Sequence, residues 1–168
     1  MLKMQKKIGF LLLIFSLNIS CGVYSFSGAS VPLDVKSMSI EYITNKAPNS
    51  WSSLDRIFNN ELKQKMISDA GLKILDKEGD YQIKGYISSY TITPQAATNG
   101  EFANTYKLSI SVQIEFTDIK TEKKLAWNEN FTNFEVYSND ITNEEDRLIT
   151  SISKNISNQI FNKIFSTW

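Results

Sequence analysis

The side chains that do most protein chemistry are scarce in this chain of 168 residues, which has one cysteine and no histidine. Without histidine, the chain lacks a Ser-His-Asp triad, a Cys-His pair, an imidazole base and an imidazole metal ligand. A single cysteine also excludes an intrachain disulfide and a cysteine-based zinc cluster. Catalysis by Asp, Glu, Lys or Ser alone stays open, and no cofactor is predicted.

The densest group of acids is Glu144-Glu145-Asp146, at the start of the last predicted helix. Negative side chains favour the positive end of a helix dipole, so we interpret the group as part of the helix start and predict no metal site. The seven glycines form no phosphate-binding loop. Because 18 basic residues balance 18 acidic ones, we expect no binding to nucleic acid.

The one cysteine follows a segment typical of a secretion signal. Three lysines precede an apolar run over residues 8–17. As a helix this run rises roughly 15 Å, about half of the hydrocarbon core of a bilayer, so it is predicted to belong to a signal peptide. Cys21 stands where cleavage is expected and resembles the cysteine of a bacterial lipobox, with Asn18 in the place that leucine usually takes. An ordinary signal peptide followed by a buried cysteine is the alternative.

These features predict three parts of the chain. We expect residues 1–20 to be a lipoprotein signal peptide, residues 21–34 a tether lipidated at Cys21, and residues 35–168 a single domain. Without its first three lysines the chain carries 15 basic and 18 acidic residues, a net charge of −3, so the lipid would be the membrane anchor rather than a basic surface. Tyr24 and Phe26 are apolar for a solvated tether, which leaves open that they dock on another surface.

Hydrophobic periodicity divides the predicted domain into strands and helices. Apolar and polar residues alternate over four segments, which is typical of strands with one buried face. An apolar residue at every third or fourth position predicts two amphipathic helices. The predicted strands are residues 36–43, 81–93, 106–117 and 125–134, the helices are residues 51–70 and 143–168, and residues 72–75 are a short apolar piece.

The order strand, helix, three strands, helix predicts an α+β fold. In its two layers, a four-stranded mixed sheet carries both helices on one face. Two pairs, Ser52 with Asp55 and Thr142 with Glu145, resemble capping boxes at the helix starts. The closing helix would depend on packing, because its isoleucines are poor helix formers. Its predicted buried stripe is Leu148, Ile149, Ile152, Ile156, Ile160, Phe161, Ile164 and Phe165.

The face of the sheet away from the helices is predicted to be polar but poor in charge. Hydroxyl, amide and tyrosine groups in this pattern suit contact with a polar partner or solute, and plain solvent exposure is the alternative. The residues predicted on this face are Ser37, Ser39, Lys84, Tyr86, Ser88, Tyr90, Lys107, Ser109, Ser111, Gln113, Asn128, Asn130 and Thr132.

The opening Cys-Gly-Val-Tyr-Ser-Phe-Ser-Gly-Ala-Ser-Val-Pro over residues 21–32, with the strand after it, resembles the mature start of lipopolysaccharide-assembly lipoproteins of the LptE family. The closing helix, which ends at Trp168, also agrees with that family. The resemblance implies a non-enzymatic lipoprotein on the periplasmic face of the outer membrane. It also implies a 1:1 complex with the wide LptD β-barrel, in which the lipoprotein is the plug and helps lipopolysaccharide reach the outer leaflet.

The resemblance also suggests where lipopolysaccharide would bind. Some family members bind it through basic residues near loops at one end of the sheet. Residues 137–143 contain no basic residue, so the candidates here are Lys107, with Tyr90 expected opposite it, and then Lys84. The residues expected to face the barrel are Tyr86, Ser88, Ser109 and Ser111.

Two other classes of function stay open. A lipid-anchored periplasmic module that binds a peptide, a glycan or another envelope complex would have the same fold without a barrel partner. A small hydrolase that works with carboxylates would need a deep cleft that holds paired acids.

Replacing Cys21 with alanine is expected to move the protein out of the membrane fraction, because the acyl chains would be lost with the thiol. Fractionation of cells without the barrel partner measures this, and Ser25→Ala in the predicted tether is the matched control. Undiminished membrane association of Cys21→Ala would remove the lipoprotein assignment.

Overall fold

A computed structural model describes residues 31–95, 105–121, 124–138 and 140–166. The predicted signal peptide, Cys21, most of the predicted tether and Trp168 lie outside these ranges. Among the described residues, no helix is both long enough and apolar enough to cross a membrane.

The described residues form a mixed sheet and two long helices, which confirms the predicted α+β class. The helices are α1 (Leu54–Ser68) and α2 (Glu145–Phe165), and a short 3-10 turn (Ile141–Asn143) precedes α2. The strands are β1 (Ser37–Ile40), β2 (Thr44–Asn45), β3 (Lys73–Leu75), β4 (Tyr81–Pro94), β5 (Tyr106–Asp118) and β6 (Lys124–Tyr137). The prediction of four strands is wrong: the first strand is interrupted, and the apolar piece at 72–75 supplies β3.

The strand order in the sheet is β3-β1-β4-β5-β6, and β2 pairs with β4 beyond the end of β1. The strand β1 runs parallel to both of its neighbours, and α1 connects it to β3. The three long strands β4, β5 and β6 are antiparallel. Strands β4 to β6 therefore form a broad meander, with the short strands at one side of it.

A buried asparagine explains the interruption of the first strand. The side chain of Asn59 in α1 accepts a hydrogen bond from the backbone N–H of Ile43 (2.9 Å) and donates one to the Ile43 carbonyl oxygen (2.9 Å). One amide thus satisfies both backbone groups in the core. Ile43 is fully buried and Tyr42 is 53% exposed, so the alternation of the predicted strand over 36–43, which buries Met38 and Ile40, breaks at Tyr42.

The turn between β3 and β4 passes directly over β1. A Cβ atom at Gly79 would lie 2.4 Å from the backbone nitrogen of Ser39, so the crossing requires glycine. Ser39 is therefore only 1% exposed, and the prediction that the face of the sheet away from the helices presents it is wrong.

The residue after this glycine fastens the start of β1. The Asp80 carboxylate accepts hydrogen bonds from the backbone N–H of Lys36 (2.8 Å), the backbone N–H of Ser37 (3.0 Å) and the Ser37 hydroxyl (3.1 Å). The Lys36 N–H, as the largest contribution, lowers the pKa of Asp80. Ser37 is thus engaged by this turn rather than presented on the predicted polar face.

A β-bulge at Ser88 changes which face the end of β4 presents. Before it, Tyr86 lies opposite Gln113; after it, Tyr90 lies opposite Ile110, whose side chain is fully buried. The extra residue shifts the alternation by one position. Tyr90 therefore points to the helix layer. The prediction that it lies on the face of the sheet away from the helices is wrong.

The helix α2 lies along β6 and binds it at regular steps. The contacts are Ser151 with Glu135 (2.5 Å), Asn155 with Asn133 (3.3 Å) and Lys163 with Glu129 (2.7 Å). Four helical residues rise about 6 Å and two strand residues about 6.6 Å, so one helix flank matches alternate residues of an antiparallel strand.

The two predicted capping boxes are wrong. Ser53 precedes α1, and its hydroxyl donates to Asp146 (2.9 Å) instead of capping its own helix. Glu144 precedes α2 without a side-chain cap.

The predicted buried stripe of α2 is confirmed. Its buried members are Leu148, Ile149, Ile152, Ile156, Ile160, Phe161 and Phe165, and Ile164 is partly buried.

Truncation of Ile152, Ile156 or Ile160 to alanine is expected to lower the free energy of unfolding by about 2–5 kcal/mol, because each side chain is fully buried. Chemical denaturation measures this. Lys154→Ala, on the exposed side of α2, is the control and should change stability by no more than about 0.5 kcal/mol. Losses below about half a kcal/mol at all three isoleucines would mean that α2 is not docked on the sheet.

Candidate partner-binding face

One face of the β4–β6 meander is left open by both helices, and we call it the open face. Along β5 the residues alternate: Leu108, Ile110 and Val112 are fully buried toward the helices, and the residues between them point to the open face. The cross-strand register aligns these residues in rows. From β4 through β5 to β6, the rows are Lys84-Glu115-Asn128, Tyr86-Gln113-Asn130, Ser89-Ser111-Thr132, Thr91-Ser109-Phe134 and Thr93-Lys107-Val136.

Hydrogen bonds between uncharged side chains connect the strands at the centre of the open face. The hydroxyls of Ser111 and Thr132 are 2.8 Å apart, and the amides of Gln113 and Asn128 are hydrogen-bonded across the strands. The Ser88 hydroxyl lies 3.2 Å from the Ser111 carbonyl oxygen and 3.3 Å from Asn130 Oδ1. These contacts restrict the side-chain rotamers, so a partner would meet a surface that is already ordered.

Charges lie at the two ends of the open face. At one end Lys84 forms an ion pair with Glu41 (3.0 Å), and both side chains are about half exposed. At the other end Lys107 Nζ lies 5.4 Å from the centre of the Phe134 ring. The side chains of the middle rows carry no formal charge, as the sequence predicted for most of them, and Lys46 Nζ lies 4.2 Å from the centre of the Tyr86 ring.

The end that carries Lys107 also exposes apolar side chains, and we call Lys107, Phe134 and Val136 the tip patch. Phe134 is 54% and Val136 48% exposed. Val136 lies directly opposite Lys107. The patch was not predicted, because the predicted strand ended at residue 134 and left out Val136, whereas β6 continues to Tyr137. The sequence did contain a signal for the patch, because Thr132, Phe134 and Val136 stand at every second position and so share one face of a strand.

Tyr90 lies on the other side of the sheet from the tip patch. Its hydroxyl donates a hydrogen bond to the Glu145 carboxylate at the start of α2. Burial and, next, this hydrogen bond raise the pKa of Tyr90. Lys107 lies opposite Thr93 and Val136, so the prediction that Tyr90 stands opposite Lys107 is wrong.

The acids at the start of α2 are all engaged by neighbours. Glu145 accepts from Tyr90, Glu144 pairs with Arg147, and Asp146 accepts from the Trp51 indole N–H (2.9 Å). Within the described ranges, no three acidic or cysteine side chains gather as a metal site.

A groove of about 310 Å³ between α1 and α2 contains two acids, Glu61 and Asp69. Asp69 forms an ion pair with Lys65 (2.5 Å), and this contact is the main cause that lowers the pKa of Asp69. A carboxyl group with a lowered pKa is a poor general acid at neutral pH. The Asp69 carboxylate is therefore engaged by Lys65 rather than available as a general acid.

Solved structures of other proteins share this fold. The minor lipoprotein from Acinetobacter baumannii has 17% identity and a TM-score of 0.53, over 77% of this chain and 92% of that chain. A hypothetical protein from Chlamydia trachomatis has 12% identity and a TM-score of 0.58, over 77% of this chain and 95% of that chain. Similarities at this level of identity show a shared fold.

The sequence assigns the family. Residues 35–164 match the model of the LptE family, described as lipopolysaccharide-assembly. The chain belongs to the LptE family, which confirms the resemblance seen in the sequence. No curated protein matches the chain.

Proposed function

We propose that this protein is a non-enzymatic lipoprotein on the periplasmic face of the outer membrane, where it forms a 1:1 complex with an LptD-like β-barrel and plugs it. Family membership supports a role in lipopolysaccharide assembly. The observation that carries the finer proposal is the open face, where three long strands present an ordered and uncharged set of hydrogen-bonding groups.

The chemistry of the open face suits the inside of a wide barrel. The interior of large transmembrane barrels is polar. Burying unpaired charges against such a wall would cost several kcal/mol per ion, whereas hydroxyls and amides can exchange water for donors and acceptors on the wall. The central rows, from Tyr86 to Thr91 on β4, thus provide contact area from uncharged side chains, and the cation of Lys46 over the Tyr86 ring is the charge that the wall would have to pair there.

We further propose that the tip patch contacts lipopolysaccharide. Lipopolysaccharide combines phosphate groups with acyl chains, and the patch combines the cation of Lys107 with exposed Phe134 and Val136. Lys84 is a poorer candidate because Glu41 already neutralises it. Tyr90 is set aside because its hydroxyl is bonded to Glu145 on the helix side.

A glycan- or peptide-binding module is the second candidate, since hydroxyl and amide groups also bind sugar hydroxyls and peptide backbones. The two functions differ in their partner. Co-purification of the native lipoprotein with a large barrel supports the plug, whereas barrel-free protein that retains a glycan or peptide supports the module.

Replacing Ser111 with tryptophan is expected to reduce barrel recovery severely, because a large side chain in the middle of the open face would separate it from the wall. The measurement is a pull-down of the full-length lipoprotein from detergent-extracted envelopes, with thermal melting of each purified variant. Asn60→Trp on the exposed side of α1 is the matched control and should recover the barrel normally. Normal recovery with Ser111→Trp, in a variant that folds, would contradict the assignment of this face.

Replacing Lys107 with glutamine is expected to weaken lipopolysaccharide binding roughly tenfold at low ionic strength, the size of one lost charge-assisted hydrogen bond. Lys84→Gln removes the same charge from the other end of the face and should leave binding nearly unchanged. Binding of purified lipopolysaccharide by both variants is measured under identical conditions. Equal affinities would show that Lys107 is not part of the site, and the role of the open face would stand.

A further inference from the structure

The outer edge of β6 has no strand beside it among the residues that the structure describes. Proteins usually protect a sheet edge with lysine, proline or a very short strand, because free N–H and C=O groups can pair with another chain. The opposite edge of this sheet follows that rule, since β3 has three residues and begins with an exposed lysine. By contrast, β6 has 14 residues and, from Trp127 to Tyr137, contains no Lys, Arg or Pro. One edge is therefore protected against pairing and the other is not.

The hydrogen bonds of the meander show which backbone groups of β6 are free. The N–H of Gln95 donates to the carbonyl oxygen of Thr105 (2.8 Å), and these two residues form the next opposite pair after the paired ends of β4 and β5. Opposite pairs in antiparallel strands alternate between hydrogen-bonded and non-hydrogen-bonded. Odd-numbered residues of β5 therefore bond to β4 and even-numbered ones to odd-numbered residues of β6. The residues of β6 that turn their N–H and C=O groups outward are Asn128, Asn130, Thr132, Phe134 and Val136.

The free edge and the open face form one continuous surface. The five residues with outward backbone groups are the same residues whose side chains complete the rows of the open face on β6. A partner that lies against those rows therefore reaches the free N–H and C=O groups at their margin.

A groove lies beside the edge on the helix side of the sheet. It has a volume of about 340 Å³ and is lined by Phe131 of β6 and by Gln159, Asn162 and Lys163 of α2. The charge of Lys163 is already paired with Glu129 (2.7 Å). The groove thus has no unpaired charge to attract an ion, and the Phe131 ring favours an apolar side chain from a strand added at the edge.

A second copy of this chain fits the edge poorly. Antiparallel pairing of β6 with the β6 of another copy would place both α2 helices on the same side of the joined sheet. Each α2 rests on its own β6, with hydrogen bonds from Ser151 to Glu135 and from Asn155 to Asn133. Paired strands are about 4.8 Å apart, whereas packed helices need about 8–10 Å between their axes. The edge therefore suits a strand that carries no covering helix.

We propose that an extended segment of the barrel chain adds to the outer edge of β6 as a further strand, bonded to the outward backbone groups from Asn128 to Val136. The inference rests on the proposed function, which supplies the barrel as the chain already in contact with the open face. The segment alternates: its apolar side chains enter the groove beside Phe131, and its uncharged polar ones continue the rows of the open face. Main-chain hydrogen bonds then fix the orientation of the plug in the barrel.

A proline at position 130 tests the pairing, because it removes an N–H that β5 does not use. Proline is tolerated on an edge strand where its nitrogen faces outward, so Asn130→Pro should fold. In the full-length lipoprotein it is expected to lower barrel recovery from detergent-extracted envelopes about fivefold, the size of one lost hydrogen bond. The matched control Asn130→Ala loses the same side chain but keeps the N–H, and should recover the barrel as the parent does. Thermal melting of both purified variants accompanies the pull-down.

Hydrogen exchange of individual amides provides a second measurement, which does not depend on how Asn130→Pro folds. The native complex is compared with the full-length lipoprotein alone in detergent. The N–H groups of Asn130, Thr132 and Phe134 should exchange about tenfold more slowly in the complex, whereas those of Phe131 and Asn133 are bonded to β5 and slow in both. One segment of the barrel chain should gain protection at alternate residues as well.

Equal barrel recovery by folded Asn130→Pro and Asn130→Ala overturns the proposal, and so does unchanged exchange at the three even-numbered amides. Protection of those amides in the lipoprotein alone, rising with its concentration, assigns the edge to a second copy and overturns it too. Each of these results leaves the proposed function in place while the parent still co-purifies with the barrel. Absence of the barrel from the parent's complex overturns the proposed function, and this inference with it.

Discussion

The packing of α2 against the apolar side of β5 and β6 is the contact on which the rest of the structure depends. Ile152, Ile156 and Ile160 are fully buried in it, although isoleucine is a poor helix former. Tertiary burial rather than intrinsic propensity therefore stabilises this helix. Its polar flank is matched to β6 at every fourth residue, which aligns the helix with the strand and covers one side of the meander.

Covering one side leaves the other available, and the candidate function follows from that asymmetry. The even-numbered residues of β5 from Leu108 to Phe116 are buried, so the odd-numbered ones between them meet solvent or a partner. Cross-strand hydrogen bonds such as Ser111–Thr132 order those side chains without adding charge. Within the rows, charge is confined to the ends, where Lys84 pairs with Glu41 and Lys107 lies over Phe134, and Lys46 adds one cation over the Tyr86 ring. A surface with this distribution can be buried against a polar wall at little electrostatic cost.

Features whose signal is local in the sequence could be predicted, and features that depend on distant contacts could not. The periods of two and 3.6 residues report burial directly, so they identified β5, α2 and most of the open face. The bulge at Ser88 does not disturb the apparent alternation of residue types in the sequence, and a tyrosine at position 90 is compatible with either face of the sheet. Gly79 is required where its turn passes over β1, and Asn59 binds the backbone of Ile43. No local pattern in the sequence indicates either contact. The capping box at Ser52 failed because Ser53 bonds Asp146, a residue from the other helix.

The most direct measurement of the central claim places a photoreactive amino acid at single positions and crosslinks the protein in intact envelopes. Ser109, Ser111 and Gln113 sample the open face, and Gln64 and Lys154 sample the helix layer. The account predicts crosslinks to a large outer-membrane barrel from the three strand positions and few from the two helix positions. Crosslinks to the barrel that come mainly from the helix layer would contradict it.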